Sequence, residues 1–348
     1  MTLTELSYQL RKILPFFILL ILIFLIIFYS FKLFFIYIEA NRPKASIVPT
    51  LFGKIAPPDI EDATSSANFS YILDTVEGHP VTSTDSAKVY FMPKPTTRFG
   101  YREKIYLMAK TLGFDTDRVK HKLTDDMASF EDEDRLLSVN VANFNFEYDS
   151  KPDPTKLASG NAFIPSRKEI ENKATDFLRK VGRYPEELLR GATNVIYLTY
   201  SAGLGTYVNV ESKSEANLVE VDFYRPDIDG ISTVTPRFFN SPNYVILLFN
   251  EDGYEVVKAQ ISFFERSETQ VDLYPVKSAD LAWEEFVNGK AKVVAATKGA
   301  KKILIKKIFL SYYDPNIYQS FFQPVYVFLG DNDFVGYLPA VPDQFLIE

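Results

Sequence analysis

Between Ile13 and Ile38 the chain is an almost unbroken run of Ile, Leu and Phe, interrupted only by Pro15, Tyr29, Ser30, Lys32 and Tyr37. A bilayer core is about 30 Å thick and a helix rises ~1.5 Å per residue, so roughly 20 such residues cross it. The run therefore predicts one membrane-spanning helix. A cleaved signal peptide is the competing reading, because Arg11 and Lys12 precede the run. Its apolar region, however, is usually about 7–15 residues long, and this one is nearly twice that. Lys32, Arg42 and Lys44 on the far side face Arg11 and Lys12 on the near side. Long domains are translocated largely regardless of charge. The expectation is a single pass in the cell membrane, with the N-terminus cytoplasmic and the bulk of the chain extracytoplasmic.

Beyond the apolar run the periodicity changes repeatedly. Arg42 to Ala67 holds Pro43, Pro49, Pro57 and Pro58 without sustained period, which reads as a stalk or a partly docked extended segment. Strand-like stretches follow at Phe69 to Asp74 and Lys88 to Met92. Tyr101, Ile105, Met108 and Leu112 share one helical face ended by Gly113. Leu136 to Tyr148 alternates in its second half and predicts a half-buried strand. Asp149 to Asp153, with Pro152 and Pro154, breaks both periods and marks a domain boundary. Ser166 with Glu169 forms a capping box before Ile170, Ala174, Phe177 and Leu178. Strands follow at Thr193 to Tyr200, Leu218 to Tyr224, Tyr244 to Asn250 and Glu255 to Phe264, the last two joined by a Glu251-Asp252-Gly253 hairpin turn. A second capped helix runs from Ser278 to Asn288-Gly289, and three strands close the chain at Ile303 to Tyr313, Pro324 to Leu329 and Phe334 to Leu338.

This pattern divides the chain into a tail and anchor over 1–40, a Pro-rich stalk over 41–66, an N-terminal α+β domain over 67–153, and a C-terminal α+β domain over 154–348 with halves 154–268 and 269–348. The fold class expected is α+β: one transmembrane helix, then helices packed on antiparallel sheets.

Composition narrows the chemistry. With no cysteine in 348 residues, a disulfide-linked partner, a thiolate nucleophile and a zinc-thiolate site are all excluded. After position 38 there are 35 basic and 44 acidic residues, a net charge of −9. That balance argues against nucleic acid as a partner and against extended contact with an anionic membrane surface.

The order of elements from Asn243 to Val341 carries a resemblance. Tyr244-Val-Ile-Leu-Leu-Phe-Asn-Glu-Asp-Gly253 is a strand and turn, Ser278 to Gly289 a helix containing Trp283, and Ile308 to Tyr313 a strand ending in paired tyrosines. Gln323-Pro-Val-Tyr-Val-Phe328 and Phe334-Val-Gly-Tyr-Leu-Pro-Ala340 complete it. The order resembles the YycI and YycH type of membrane-anchored regulator, over Pro165 to Ala340 at most. That resemblance implies PepSY-like helix-and-sheet units, an exported part without catalytic activity, and modulation of a sensor histidine kinase that controls cell-wall metabolism.

Reactive constellations are sparse. His79 and His121 stand far apart, with no HExxH and no GxSxG elbow. Gly203-Leu-Gly205 lacks the third glycine of a phosphate loop, that position being Val208, and reads as a turn. The acidic groups at Asp125-Asp126, Glu131 to Asp134 and Asp227 to Asp229 miss the spacing of a calcium loop. Asn68-Phe69-Ser70 matches a glycosylation sequon. No catalytic, cofactor-binding or metal-binding residue is assigned and no cofactor is expected. Tyr312, Tyr313, Tyr318, Tyr326 and Tyr337 form the candidate protein-binding surface, because tyrosine combines a large contact area with a polar tip. The function expected is a non-catalytic regulatory or scaffolding protein that binds another membrane or envelope protein. The alternatives are an anchored cell-envelope hydrolase, or a surface-assembly or pilus-accessory component.

Overall fold

The computed structural model describes residues 3–40, 48–63, 69–80, 84–117, 120–158, 164–251, 253–297, 299 and 301–347. Asn68 of the sequon, Asp252 of the hairpin turn, and the 41–47 and 64–66 parts of the predicted stalk lie outside them.

The chain forms two units, Met1–Ser46 and Ile47–Glu348. The first contains one helix, α1 (Leu3–Ala40). Its stretch Phe16–Phe35 has a mean hydropathy of 2.8 and no buried residue, so it is long and apolar enough to cross a membrane. The apolar side chains point outward all round it, a surface matched to lipid rather than to water.

The second unit is α+β and mostly sheet. Its elements begin with β1 (Ser70–Leu73), β2 (Ser86–Phe91), α2 (Tyr101–Thr111), β3 (Lys120–Leu123), β4 (Met127–Glu131), β5 (Arg135–Asn140) and β6 (Phe146–Ser150). Then come α3 (Pro154–Ala158), α4 (Arg167–Val181), α5 (Glu186–Arg190), β7 (Thr193–Ser201), β8 (Thr206–Asn209), β9 (Leu218–Phe223), β10 (Thr233–Val234), β11 (Tyr244–Asn250) and β12 (Gly253–Ile261). The last are β13 (Val271–Pro275), α6 (Ala279–Val287), β14 (Lys292–Ala295), β15 (Lys302–Tyr313), β16 (Phe321–Phe322), β17 (Pro324–Gly330) and β18 (Val335–Pro339).

These strands build three sheets. The largest is antiparallel throughout, in the order β3-β4-β5-β6-β12-β11-β9-β7-β8. A second runs β1-β15-β17-β18-β14, with β1 and β10 both parallel to β15. The third is β13-β2-β16.

The helices are placed by their caps and faces. Ser166 accepts from the Glu169 N–H at 3.4 Å, giving one arm of the expected capping box. At the other end of α4, Gly182 at φ 80° lets its own N–H and that of Arg183 return to Leu178 O. Ile170, Ala174, Leu178 and Val181 of α4, with Ile105, Met108 and Ala109 of α2, are buried on one face of the nine-stranded sheet. Ser278 caps α6 by accepting from the Leu281 N–H. Phe286 of α6 stacks on Phe328 of β17 with ring centroids 4.1 Å apart. A Cβ on Gly336 would sit 2.9 Å from the Phe286 ring, so β18 can pass beneath α6 only with glycine there.

Two expectations are corrected here. Asp153 is not a domain boundary: β6, before it, pairs with β12, a hundred residues later, through Asp149↔Lys258 and Glu147↔Gln260. Nor is 269–348 a separate half, since β1 and β2 from the start of the unit pair with β15, β13 and β16. The nine-stranded sheet is nested within a chain whose two ends build the other two sheets. The described part of the predicted stalk is docked, not free. Ile55 and Ile60 are buried, Ile55 N–H donates to Phe345 O at 2.9 Å, and Tyr274 OH donates to Gly53 O at 2.8 Å.

The predicted strand over Leu136 to Tyr148 is also split, into β5 and β6, by a turn over 141–145. Asn140 Oδ1 accepts from the N–H groups of Ala142 and Asn143, Asn143 Oδ1 accepts from Asn145 N–H, and Phe144 takes φ 60°. Asparagine side chains compete with the ladder for backbone donors in this way.

Candidate functional site

Strand alternation puts Leu137, Val139, Tyr148 and Ala259 on the helix-covered face of the large sheet and Ser138, Asn140, Glu147 and Gln260 on the other. Ser138 faces Glu147 across the strands, and Glu147 faces Gln260. With Ser262 two residues beyond Gln260, these side chains form the polar floor of a cleft of about 520 Å³. Asp126 and Lys94 stand at its sides, and the 316–318 segment forms the opposite wall with Asn316, Ile317 and Tyr318. The volume falls within the ~300–1,000 Å³ typical of ligand sites.

The cleft is held rigidly. Asn145 Oδ1 accepts from Arg183 Nη2 at 2.8 Å, and the same nitrogen donates to Phe263 O at 3.0 Å. Arg183 Nη1 pairs with Glu265 at 3.0 Å. The side-chain oxygens of Asn140, Asn143 and Asn145 are thus engaged within the protein, which leaves their amide nitrogens as donors toward the cleft. Lys104 Nζ lies 4.0 Å from the Phe144 ring and supports the left-handed turn from below. The Tyr318 ring is fixed at both ends, its OH donating to Met92 O at 3.0 Å and its face meeting Phe264 edge-on at 6.0 Å.

The opposite wall is part of the loop between β15 and β16, and Arg225 joins that loop to the sheet side. Its guanidinium is fully buried, donates to Asp314 Oδ1 at 3.0 and 3.1 Å and to Phe264 O at 2.8 Å, and pairs with Glu187. It also lies 4.0 Å from the Phe263 ring. Burial disfavours its charge, but Asp314 and Glu187 outweigh that and hold its pKa above the ordinary arginine value. Phe263 and Phe264 end the sheet-side wall and Asp314 begins the other, so this ion pair sets the width of the cleft.

The five tyrosines expected to form a recognition surface are placed otherwise. Tyr312, Tyr313, Tyr326 and Tyr337 are no more than 3% exposed. They are core residues whose size fills the space between sheets. Tyr312 donates to Lys88 O, Tyr326 to Lys277 O and Tyr337 to Thr235 O, so buried hydroxyls are satisfied by backbone carbonyls of distant segments. Only Tyr318, half-buried, reaches the cleft. The residues that the sequence reading missed are the Asn140, Asn143, Asn145 series and Gln260. Three asparagines within six positions, interrupting an alternating strand, were the available signal.

Other notable groups lie elsewhere. His79 sits in an exposed loop, and His121 on β3 meets Tyr106 OH at 3.2 Å. Leu204 and Gly205 close the β7–β8 hairpin onto Ser201 O, which accounts for the paired glycines. Asp229 is engaged by Tyr90 OH at 2.8 Å and Lys88 Nζ at 3.0 Å. Among the described residues no group of three or more His, Cys, Asp or Glu side chains could hold a metal ion. No protein-family model matches this chain, and no curated protein is found similar to it.

Proposed function

We propose that this chain is a non-catalytic regulatory or scaffolding protein of the cell membrane. Its N-terminus is cytoplasmic, and its sheet-rich unit lies outside and binds another membrane or envelope component. The observation that carries this reading is the combination of an exposed apolar span with a separate folded unit whose cleft is lined mainly by amide and hydroxyl side chains. In this reading the span contacts a membrane partner such as a sensor kinase, while the cleft serves as a recognition site. Helices α2 and α4 lying on an antiparallel sheet, and α6 on the largely antiparallel one, are in keeping with PepSY-like units, the plan suggested by the resemblance to YycI and YycH type regulators. Fold likeness alone does not fix a role, so the partner must be captured directly.

The test is in-cell crosslinking of the full-length protein, compared with a version whose Ile13 to Ile38 segment is replaced by an unrelated membrane helix. A membrane protein recovered only with the native helix supports the proposal. Recovery of the chain's own copies alone sinks it and favours an assembly role.

A second reading, an anchored envelope hydrolase, draws on Asp126 and Glu147, both of which line the cleft. Glycoside hydrolysis needs two carboxylates flanking the bond. Unchanged wall-degrading activity in an Asp126→Asn, Glu147→Gln double variant would remove that alternative.

A further inference from the structure

The proposal above leaves the ligand of the cleft open. Resting on the reading of that cleft as a recognition site, we infer that it binds a neutral oligosaccharide segment, with recognition carried by side chains of β5, β6 and β12 and by the 316–318 wall.

Four observations lead there. First, the floor is built from interior strands. Ser138, Glu147 and Gln260 sit on strands paired on both sides, so their backbone N–H and C=O groups are spent in the ladders. A peptide cannot add here as a further strand, because strand addition needs a free sheet edge. Whatever binds is read by side chains alone.

Second, those side chains mix donors and acceptors at close spacing. Asn140, Asn143 and Asn145 offer amide donors, Ser138 and Ser262 offer hydroxyls, and Asp126 and Glu147 are strong acceptors. Gln260 Oε1 is a further acceptor, the Gln260 amide nitrogen donating to Pro242 O at 3.2 Å and Ser262 Oγ at 3.3 Å. A ring of hydroxyl groups, each donor and acceptor at once, is the ligand chemistry that satisfies such a set. Lys94 and Asp126 line the cleft with Glu147, and Lys258 beside it is shared between Glu147 at 3.7 Å and Asp149 at 3.6 Å, so three carboxylates face two cations and no surplus of positive charge is offered to phosphorylated, sulfated or nucleic-acid ligands.

Third, the donors are preorganised. The Asn140 and Asn143 oxygens are held by turn N–H groups and the Asn145 oxygen by Arg183, so few rotamers remain to be frozen on binding. Phe144 at φ 60° is a non-glycine residue in the left-handed region, conformational strain of the kind concentrated at ligand sites. Fourth, the Tyr318 ring is locked by its hydroxyl and by Phe264 and remains partly exposed, a rigid aromatic surface against which the C–H face of a sugar ring packs.

The experiment uses the full-length chain in nanodiscs and calorimetric titration with tetrasaccharides of β-1,4-linked N-acetylglucosamine, β-1,4-linked glucose and α-1,4-linked glucose, plus a sulfated tetrasaccharide. At least one neutral probe is expected to bind and the sulfated one to bind more weakly. Glu147→Ala with Asn316→Ala removes an acceptor and a wall amide from exposed positions that hold no turn. Loss of one charged hydrogen bond weakens binding about tenfold or more, so the double variant should lose at least that factor while keeping the wild-type unfolding midpoint. Asn145→Asp, which retains the Arg183 contact but replaces the amide donor, should weaken the neutral probes as well.

No binding of any neutral probe at millimolar concentration overturns the inference, as does binding that survives both variants or that prefers the sulfated probe. A peptide of the crosslinked partner occupying the cleft would also overturn it. These outcomes are separable from the fate of the proposed function. Partner capture through the native helix with no sugar binding leaves the regulatory reading standing, and sugar binding without any membrane partner does the reverse.

Discussion

Replacing Arg225 with methionine tests whether the two walls of the cleft are held by one ion cluster. The guanidinium is fully buried, Asp314 is 4% exposed at its side chain, and Glu187 is 14% exposed. Arg225→Met keeps much of the volume and the contact with Phe263 but leaves Asp314 buried and without its cation. Removing one member of a buried pair costs about 3–5 kcal/mol, most of it the penalty of the abandoned charge. Glu187 is expected to suffer less, because Arg266 Nε lies 3.5 Å from it and it is partly solvated. Arg225→Lys keeps the charge but cannot donate at once to Asp314, Glu187 and Phe264 O, and should cost about 1.5–3 kcal/mol. The decisive variant is Arg225→Met with Asp314→Leu, which abolishes the stranded charge and should recover most of the loss, since buried pairs are often replaceable by apolar residues. Urea unfolding of full-length protein in detergent, followed by the fluorescence of the single tryptophan, Trp283 on α6, reads the effect in the body that contains Asp314. A loss below ~1 kcal/mol for Arg225→Met, or a double variant no more stable than the single one, would refute the argument.

Three further expectations follow from other parts of the fold. Asp222 of β9 is fully buried beside Glu220, accepts from Tyr224 OH at 3.1 Å, has no hydrogen-bond partner at Oδ1, and faces Tyr244 and Asn194 on the neighbouring strands. Burial first, then the Glu220 charge, push its pKa from 3.8 up to about 8. The folded protein keeps a proton that the unfolded chain releases, so stability is greatest below the unfolded value and falls as pH rises from about 4 through 8. The slope is at most ~1.4 kcal/mol per pH unit. Urea midpoints at pH 5, 7 and 9 should decline, and Asp222→Asn should flatten that decline; a midpoint that rises with pH would contradict the assignment. Leu178→Ala on α4 removes a fully buried side chain from the core of the large sheet and should cost about 2–5 kcal/mol in the same assay, a value near zero meaning that α4 is not docked as described. Ile26→Arg at the middle of the apolar span adds ~2.5–3.5 kcal/mol to insertion and should shift protein into the soluble fraction of lysed cells; unchanged partitioning would count against the span as the anchor.

What could be read from the sequence was local. The anchor, the helices capped by Ser166 and Ser278, and most strands follow from period and capping residues within a dozen positions. The sheet order did not, because it is set by pairings such as Tyr71↔Ile303 and Phe321↔Phe91, more than two hundred residues apart. The break at Pro152 and Pro154 is a real interruption of periodicity, but both flanking strands join one sheet, so a break in pattern was mistaken for a break in packing. Phe144, Phe146 and Tyr148 imitate a continuous strand: Phe146 and Tyr148 do point into the core, while Phe144 belongs to the turn that the asparagines impose. The tyrosines misled for a related reason. Their burial depends on carbonyls of Lys88, Thr235 and Lys277 reaching their hydroxyls, and nothing adjacent to Tyr312, Tyr326 or Tyr337 announces those partners.

The same long-range pairing explains why the cleft exists where it does. An antiparallel sheet with one face under α2 and α4 leaves its other face to water unless something covers it. Here β12 runs from the middle of that sheet to Phe263 and Phe264, after which the chain returns to the sheets built by the two ends of the unit. Arg225, placed just after β9, reaches across this seam to Asp314. A polar sheet face therefore meets the 316–318 wall at a fixed distance, with an amide-bearing turn at one side. The nesting does more than pack the chain. It forms a concavity between a sheet face and the loop after β15, and weakening the Arg225 cluster should widen that concavity before it unfolds either sheet.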